Sequence, residues 1–313
     1  MILKRPLVTG AGGFIGAHLV RKLSLLDEVE YVYAVDLPNN PRLKNFADTQ
    51  KVKVIECDLT DPEVTKKLPD DPSVVFALAA MNGTGRFYTH PNTVLINSTI
   101  PSLNVFKKYV GSIPVVYSSS SEVYASTTEL FGWETPTSED VPISISNVHN
   151  PRWSYATAKL FGEVALISGV LEFGGAGAIV RYHNVFGPDM GLDHFVPDFI
   201  DRALRGEFRI TGAEQTRAFM YIDDAVRGTI SAALNSNPEV PIYHLGSKKE
   251  ITILNAAQII LKEMGIEGHE IKLSEAPEGS VSRRCADTSK AETELDWKCE
   301  VEFSSGIKRY LQA

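Results

Sequence analysis

Cysteine is scarce: Cys57, Cys285 and Cys299 are the whole complement of 313 residues. An odd count with no CxxC pair excludes a disulfide framework and offers no zinc spacing. It fits small, buried or half-buried thiols in a reducing compartment. Basic runs are equally short. No stretch of Lys or Arg exceeds two residues, and the net charge is −8 with a sequence pI of about 5.5. The basic face of a nucleic-acid binder is therefore not expected. Acidity leaves a phosphate-bearing ligand open, because backbone N–H groups hold phosphate without net positive charge. Long apolar runs are missing too: the longest covers residues 74–81, far short of the roughly 20 residues of a membrane span. None of the seven histidines shows HxxH or HxxxH spacing, so no metal is expected. Met1 leads directly to Pro6-Leu7-Val8-Thr9-Gly10 with no apolar leader. The expectation is a soluble, cytoplasmic protein with neither nucleic-acid nor membrane partners.

What is present is ordinary globular material. Hydrophobic residues make up 43% and charged residues 22%, enough to bury a sizeable core as one large α/β unit or two interleaved lobes. Short apolar runs recur at residues 7–8, 31–35, 52–55, 74–79, 113–117 and 178–180, with helix-length segments at 14–26, 91–109 and 155–173. Nearly continuous hydrophobic strands alternating with helices make a parallel sheet covered on both faces. Residues 126–152 break the alternation, and a loop that long inside a domain is usually functional. Beyond about Asn184 the pattern turns to short mixed elements. Helices are expected at 195–204, 223–234, 253–264 and 288–295, and residues 242–245 read as a late strand returning to the sheet. No repeat and no Gly/Ser-rich linker separates the lobes. The expected architecture is a doubly wound parallel sheet with a smaller, interleaved C-terminal lobe.

Thr9-Gly10-Ala11-Gly12-Gly13-Phe14-Ile15-Gly16 sits between the first expected strand and the first helix. Gly10, Gly13 and Gly16 have the spacing of a dinucleotide loop. A tight turn tolerates positive φ, a diphosphate approaching the backbone tolerates no Cβ, and close helix–strand packing favours a third glycine. Asp36 closes the second strand about 20 residues after Gly16, where an acid accepts from the adenosine ribose. An acid there repels a 2′-phosphate, so NAD is expected rather than NADP. Asp58, closing the third strand, either reaches the adenine or caps the next turn. The fold is thus read as Rossmann-type, with NAD on residues 1–183 and about 218–246 returning to that domain. Residues 184–217 and 247–313 form the substrate-binding lobe.

Tyr155-x3-Lys159 places a phenol and an ammonium on one helix face. Alone, composition yields on the order of one such spacing by chance. Here it opens a helix after the long loop, and Ser118-Ser119-Ser120-Ser121 ends the fifth strand, where such sheets bind ligands. Removing hydride from a sugar C–H also requires removing the hydroxyl proton. Lys159, with the positive nicotinamide ring, is expected to stabilise the Tyr155 phenolate so that it acts as general base near neutral pH, with a serine hydroxyl relaying the proton.

The ordered set extends through nearly the whole chain. It includes Asp58-Leu59, Leu78-Ala79-Ala80, Asn97, Ser119-Ser120-Ser121-Glu122-Val123-Tyr124 and Arg181-x-x-Asn184-Val185-Phe186-Gly187-Pro188. Arg217-x-Phe219-x-Tyr221-x-Asp223-Asp224 and Arg283-Arg284-x-x-Asp287-x-Ser289-Lys290 follow. With these motifs the sequence resembles the extended short-chain dehydrogenase/reductases, in the nucleotide-sugar epimerase/dehydratase branch. The resemblance implies NAD contacts from Phe14, Ile15, Leu59, Leu78, Ala79, Ala80, Asn97 and Tyr182, as well as from Tyr155, Lys159 and the glycine loop. It implies Ser120 as the hydroxyl of a Ser/Tyr/Lys triad. A nucleotide-diphosphate sugar would lie between the lobes, with Ser121 beside it and Asn184, Arg217 and Arg284 along its diphosphate. A homodimer through the helices near 91–109 and 154–172 is implied as well. Three positions depart from the family pattern. Ala77 stands where His is frequent, Pro101 where Gly is common, and Ala125 where Gly often follows Val-Tyr. Pro101 is expected to kink or shorten its helix.

The branch begins by oxidising a sugar hydroxyl, usually at C4, and the ketone then acidifies neighbouring C–H bonds. By the resemblance, Asp-Glu after the triad hydroxyl accompanies 4,6-dehydratases and Ser-Glu several uronic-acid decarboxylases. This chain has Ser121-Glu122. Glu122 is either an extra acid/base near C5 or a structural carboxylate. The expected function is that of an NAD-dependent epimerase/dehydratase. The alternatives are a UDP-glucuronate-type decarboxylase, a 4-reductase or dehydrogenase of nucleotide sugars, and a non-enzymatic NAD-sensing scaffold. His183 and His194 flank the substrate loop and read as hydrogen-bonding surface or core residues. Trp133 and Trp153 bound the long loop and either stack on a base or pack it.

Overall fold

Seven strands form the central sheet: β1 (Pro6–Thr9), β2 (Val32–Asp36), β3 (Val52–Glu56), β4 (Val74–Ala77), β5 (Val115–Ser120), β6 (Gly177–Tyr182) and the late β11 (Ile242–Leu245). Their order is β11-β6-β5-β4-β1-β2-β3, and every pairing is parallel. The computed structural model describes residues 3–46, 49–124, 126–127, 131–276 and 280–313; Ala125 lies outside them. Alternate side chains feed opposite faces of the sheet. Val8, Ala34, Phe76 and Val116 join one core with helices α1 (Phe14–Ser24) and α6 (Ile222–Leu234). Leu7, Val35, Ala77 and Tyr117 join the other, against α3 (Pro91–Tyr109) and α4 (Trp153–Phe173). Each Val or Leu buried this way contributes roughly 1.5–3 kcal/mol. The winding direction reverses between β1 and β4, and the crevice beyond those strand ends is where such sheets hold ligands.

Helix α3 runs unbroken through Pro101 for 19 residues, so the expected shortening does not occur. Pro101 is buried in the packed face of the helix, and it removes one backbone donor, the partner of the Asn97 carbonyl. Packing offsets that single lost bond. The smaller lobe is built from very short strands. β7 (Val185–Phe186) pairs with β10 (Met220–Tyr221), and β8 (Arg209–Thr211) with β13 (Lys272–Ser274). β9 (Thr216–Ala218) lies between β12 (Glu250–Thr252) and β14 (Arg283–Arg284). The other α-helices with described bounds are α2 (Thr84–Thr89), α5 (Phe195–Leu204), α7 (Ile253–Glu263), α8 (Ser289–Glu294) and α9 (Phe303–Gln312). Thr252 caps α7 by accepting from the Asn255 N–H at 3.1 Å. No described helix is long and apolar enough to cross a membrane.

Candidate active site

The glycine loop leaves β1 at Gly10, where φ is +70°. A Cβ at Gly10 would lie 2.9 Å from the Ala79 nitrogen, and one at Gly16 only 2.0 Å from the Gly10 carbonyl oxygen. Both positions exclude any side chain. Thr9 Oγ1 accepts from the Leu78 and Ala79 N–H groups at 3.1 and 3.3 Å, pinning the two turns that face each other across the switch point. Asp36 accepts from Gly12 N–H and Leu37 N–H, both at 2.7 Å, so its carboxylate is held against the loop. Gly13, the N-cap of α1, has no side chain to satisfy the first-turn N–H groups around Phe14 and Ile15, which leaves them for an anion. A cradle that a Cβ would fill, an oriented acid and an uncapped helix start together fit a dinucleotide.

Other expected cofactor residues are placed less directly. Asp58 Oδ1 is taken up by the N–H and hydroxyl of Thr60, at 2.8 and 2.7 Å, the turn-capping arrangement. Leu59 is buried in the α3/α4 core, Asn97 is half-buried on α3, and Tyr182 turns its hydroxyl to Thr229 at 2.6 Å. Ala80 packs beside the Tyr155 ring.

Tyr155 and Lys159 stand one turn apart on α4, and both are buried. The Tyr155 ring stacks on Phe87 of α2, with centroids 5.2 Å apart and planes 13° from parallel. Lys159 Nζ lies 5.6 Å from the Tyr155 ring centre and donates to the Ser118 carbonyl at 2.7 Å and hydroxyl at 3.2 Å. Two residues on, Ser120 Oγ accepts from the Glu122 N–H at 3.2 Å. Burial pushes the Tyr155 phenol above its usual value, and the Glu122 charge adds to this. Burial also pulls the Lys159 ammonium down to about 7, against the opposing charge of Glu163. Desolvation thus dominates both groups in the fold; the expected stabilisation of the phenolate is by Lys159 together with the positive nicotinamide ring.

This has a consequence for stability. With the Lys159 value depressed in the fold, the unfolded chain binds the extra proton between about pH 7 and the usual 10.5, so stability rises with pH across that window. Lys159→Met should flatten that rise and increase Tm at pH 7, by about 2 °C for each kcal/mol recovered. Thermal melts from pH 7 to pH 10 check this; an unchanged slope in the variant contradicts it.

Glu122 lies in the single turn Ser121–Tyr124 that follows β5. Its Oε1 accepts from Arg284 Nη1 at 2.7 Å and its Oε2 from Arg152 Nη2 at 3.4 Å. Burial pushes the carboxyl up, but Arg284, Arg152 and Arg217 together outweigh that and hold it below the usual carboxylate range. Arg284 on β14 is in register with Arg217 on β9. Glu122 offsets their like charges, and neighbouring guanidiniums also match a diphosphate. Asn184, at φ +44°, donates to the Ala218 carbonyl at 3.3 Å, and Ser121 is buried.

Three features were not foreseen from the sequence. Arg152 reaches Glu122 from one turn before Tyr155, a helical spacing that marks it in retrospect. His183 is buried as a core residue, but neither ring nitrogen has a hydrogen-bond partner among the described residues; its ring meets His244 edge-on at 4.7 Å. A buried chain of polar groups braces the triad from behind: Ser119 Oγ and Arg181 both donate to Glu163, and Arg181 donates to the Tyr124 hydroxyl. Trp153 packs with Ala156 and Val281, Trp133 is exposed, and His194 is the N-cap of α5.

Residues 6–246 match the NAD dependent epimerase/dehydratase family. The chain belongs to that family. As an NAD-dependent epimerase/dehydratase-family enzyme it is 31% identical over 314 residues to UDP-glucuronic acid decarboxylase 1 of Xenopus tropicalis, covering 98% of this chain and 71% of that one. It is 31% identical over 313 residues to a putative UDP-glucose 4-epimerase of Methanocaldococcus jannaschii, covering 97% and 96%. The structure of UDP-glucuronic acid 4-epimerase from Bacillus cereus, in complex with UDP-glucuronic acid and NAD, superposes with a TM-score of 0.85 at 25% identity, covering 98% of each chain.

Proposed function

We propose that this NAD-dependent nucleotide-sugar epimerase/dehydratase acts on a UDP-linked hexuronate, oxidising C4 and releasing the carboxyl group on C5 as carbon dioxide. The observation that carries this is the Glu122–Arg284 ion pair at 2.7 Å, adjoining Ser121. Dehydration needs an acid for the leaving hydroxyl; a serine is a poor one, and Glu122 is held ionised by its arginines. What remains is a cluster of guanidiniums around Glu122, from Arg284, Arg152 and Arg217, suited to an acidic sugar. A 4-keto-uronate is a β-keto acid: as its C5–C6 bond breaks and carbon dioxide leaves, the electron pair passes to the C4 oxygen as an enolate, and C5 then takes a proton from solvent before hydride returns to C4. Likeness to a UDP-glucuronic acid decarboxylase and to an enzyme bound to UDP-glucuronic acid supports the acidic sugar.

Held by Gly10, Gly13, Gly16 and Asp36, NAD supplies the oxidant that takes hydride from C4 and returns it. Tyr155 takes the C4 hydroxyl proton, Ser120 holds that proton in line, and Lys159 offsets the phenolate charge. Arg217 and Arg284 hold the diphosphate, with Asn184 and Ser121 beside the substrate. Residues 1–183 with 218–246 form the cofactor domain, and 184–217 with 247–313 the substrate lobe. Mass spectrometry of the products from UDP-glucuronate and NAD tests the reaction: the expected product is lighter by carbon dioxide. Unchanged mass at a new retention time would favour C4 epimerisation, the reading that the M. jannaschii relative supports. Turnover of UDP-glucose alone would overturn the acidic substrate.

A second copy of the chain is proposed to cover α3 and α4. Leu95, Ile96, Phe161, Val164, Ile167 and Leu171 are exposed there, and the last four follow one face of α4. Val164→Glu is expected to convert a dimer to a monomer in light scattering, and an unchanged mass would contradict the interface.

A further inference from the structure

Arg152 is incompletely satisfied where it sits. Its side chain is 11% exposed, and its Nε is buried with no hydrogen-bond partner among the described residues. It bonds Tyr88 of α2, and its Nη2 reaches Glu122 Oε2 at 3.4 Å. That separation is longer than the roughly 2.7–2.9 Å of a charge-assisted bond. The other oxygen of Glu122 lies 2.7 Å from Arg284. Glu122 is thus held firmly by Arg284 and loosely by Arg152, and it can release Arg152 while remaining paired. Nε and Nη2 form one edge of the guanidinium, which matches both oxygens of a carboxylate. Glu122 meets only one of the two.

We propose that Arg152 is the specificity-determining residue for an acidic sugar, gripping the substrate carboxylate through Nε and Nη2 while Glu122 stays with Arg284. This rests on the hexuronate reading above. The spacing supports it: Arg152 precedes Tyr155 by three residues, and such neighbours on a helix lie about 5–6 Å apart. Arg152 therefore stands within one turn of the group that would meet the C4 hydroxyl, close enough for the substituent on the adjoining C5.

The test is calorimetric binding of UDP-glucuronate and of UDP-glucose to NAD-loaded wild type, Arg152→Met and Arg152→Lys. Wild type is expected to prefer the acid. Arg152→Met should lose that preference, read as the ratio of the two affinities, by at least about tenfold. Arg152→Lys, which keeps the charge but not the fork, should recover only part of the preference, and it carries the test if the Met variant does not fold. Full preference in Arg152→Met, or in Arg152→Lys where that variant carries the test, overturns the assignment. Absence of any preference in wild type overturns the hexuronate reading instead.

Discussion

Tyr155→Phe is expected to lower turnover by about 10³-fold, within the range that one positioned acid/base supplies, and to leave NAD affinity nearly unchanged. The substitution removes one oxygen. The ring keeps its stack on Phe87 and its place beside Ala80 and Met81, so the helix start and the glycine cradle are undisturbed. What is lost is the only phenol that α4 presents beside Lys159. Because burial raises that phenol, the phenolate is disfavoured at neutral pH until substrate and cofactor charges arrive; activity should therefore fall as pH is lowered. Steady-state kinetics and an NAD titration on the same preparation check both halves. Full activity in the variant removes the general-base assignment, whereas lost NAD binding would mean that the phenol oxygen serves the cofactor site. An NAD-sensing scaffold would be indifferent to the change in both assays.

Gly16→Ala should be more damaging to the molecule as a whole. The added methyl would sit 2.0 Å from the Gly10 carbonyl oxygen and 3.1 Å from the Ala11 Cα. Both are backbone atoms at the tightest point of the loop, so neither can rotate away. Helix α1 must move off β1, at a cost of about 3 kcal/mol by analogy with overpacked cores. NAD affinity should drop by roughly two orders of magnitude, since that 3 kcal/mol falls on the cofactor-binding geometry. At Gly13 the nearest obstacle is 3.0 Å away, so Gly13→Ala should be milder. Denaturant melts and NAD titrations of the two variants give the ranking, and wild-type behaviour of Gly16→Ala would contradict the close-packing account.

Much of this was legible because periodicity and spacing are local. The buried runs at 7–8, 74–79 and 178–180 read as strands because both faces of a parallel sheet are covered, and 91–109 matched its helix to the residue. The late strand at 242–245 was visible as an isolated apolar run. Glycine spacing and the acid at 36 marked the cradle, since each responds to a steric or charge requirement at one position. The two- and three-residue strands of the smaller lobe were not legible. They carry no period, and the alignment of Arg284 beside Arg217 exists only through strand register. Pro101 misled for the opposite reason: a local rule was overridden by packing. Arg152 and the orphaned His183 depend on loop placement across long sequence distances. The desolvation that raises the Tyr155 phenol is set by the assembled fold rather than by the motif, so the motif alone does not show it.

The most direct test of the central claim is turnover of UDP-glucuronate deuterated at C4, in ordinary water with NAD. Turnover should be slower than with the unlabelled sugar, and the product should keep its deuterium at C4, because the same hydride leaves and returns. A product that has exchanged the label with solvent, with no isotope effect on the rate, would contradict oxidation at C4.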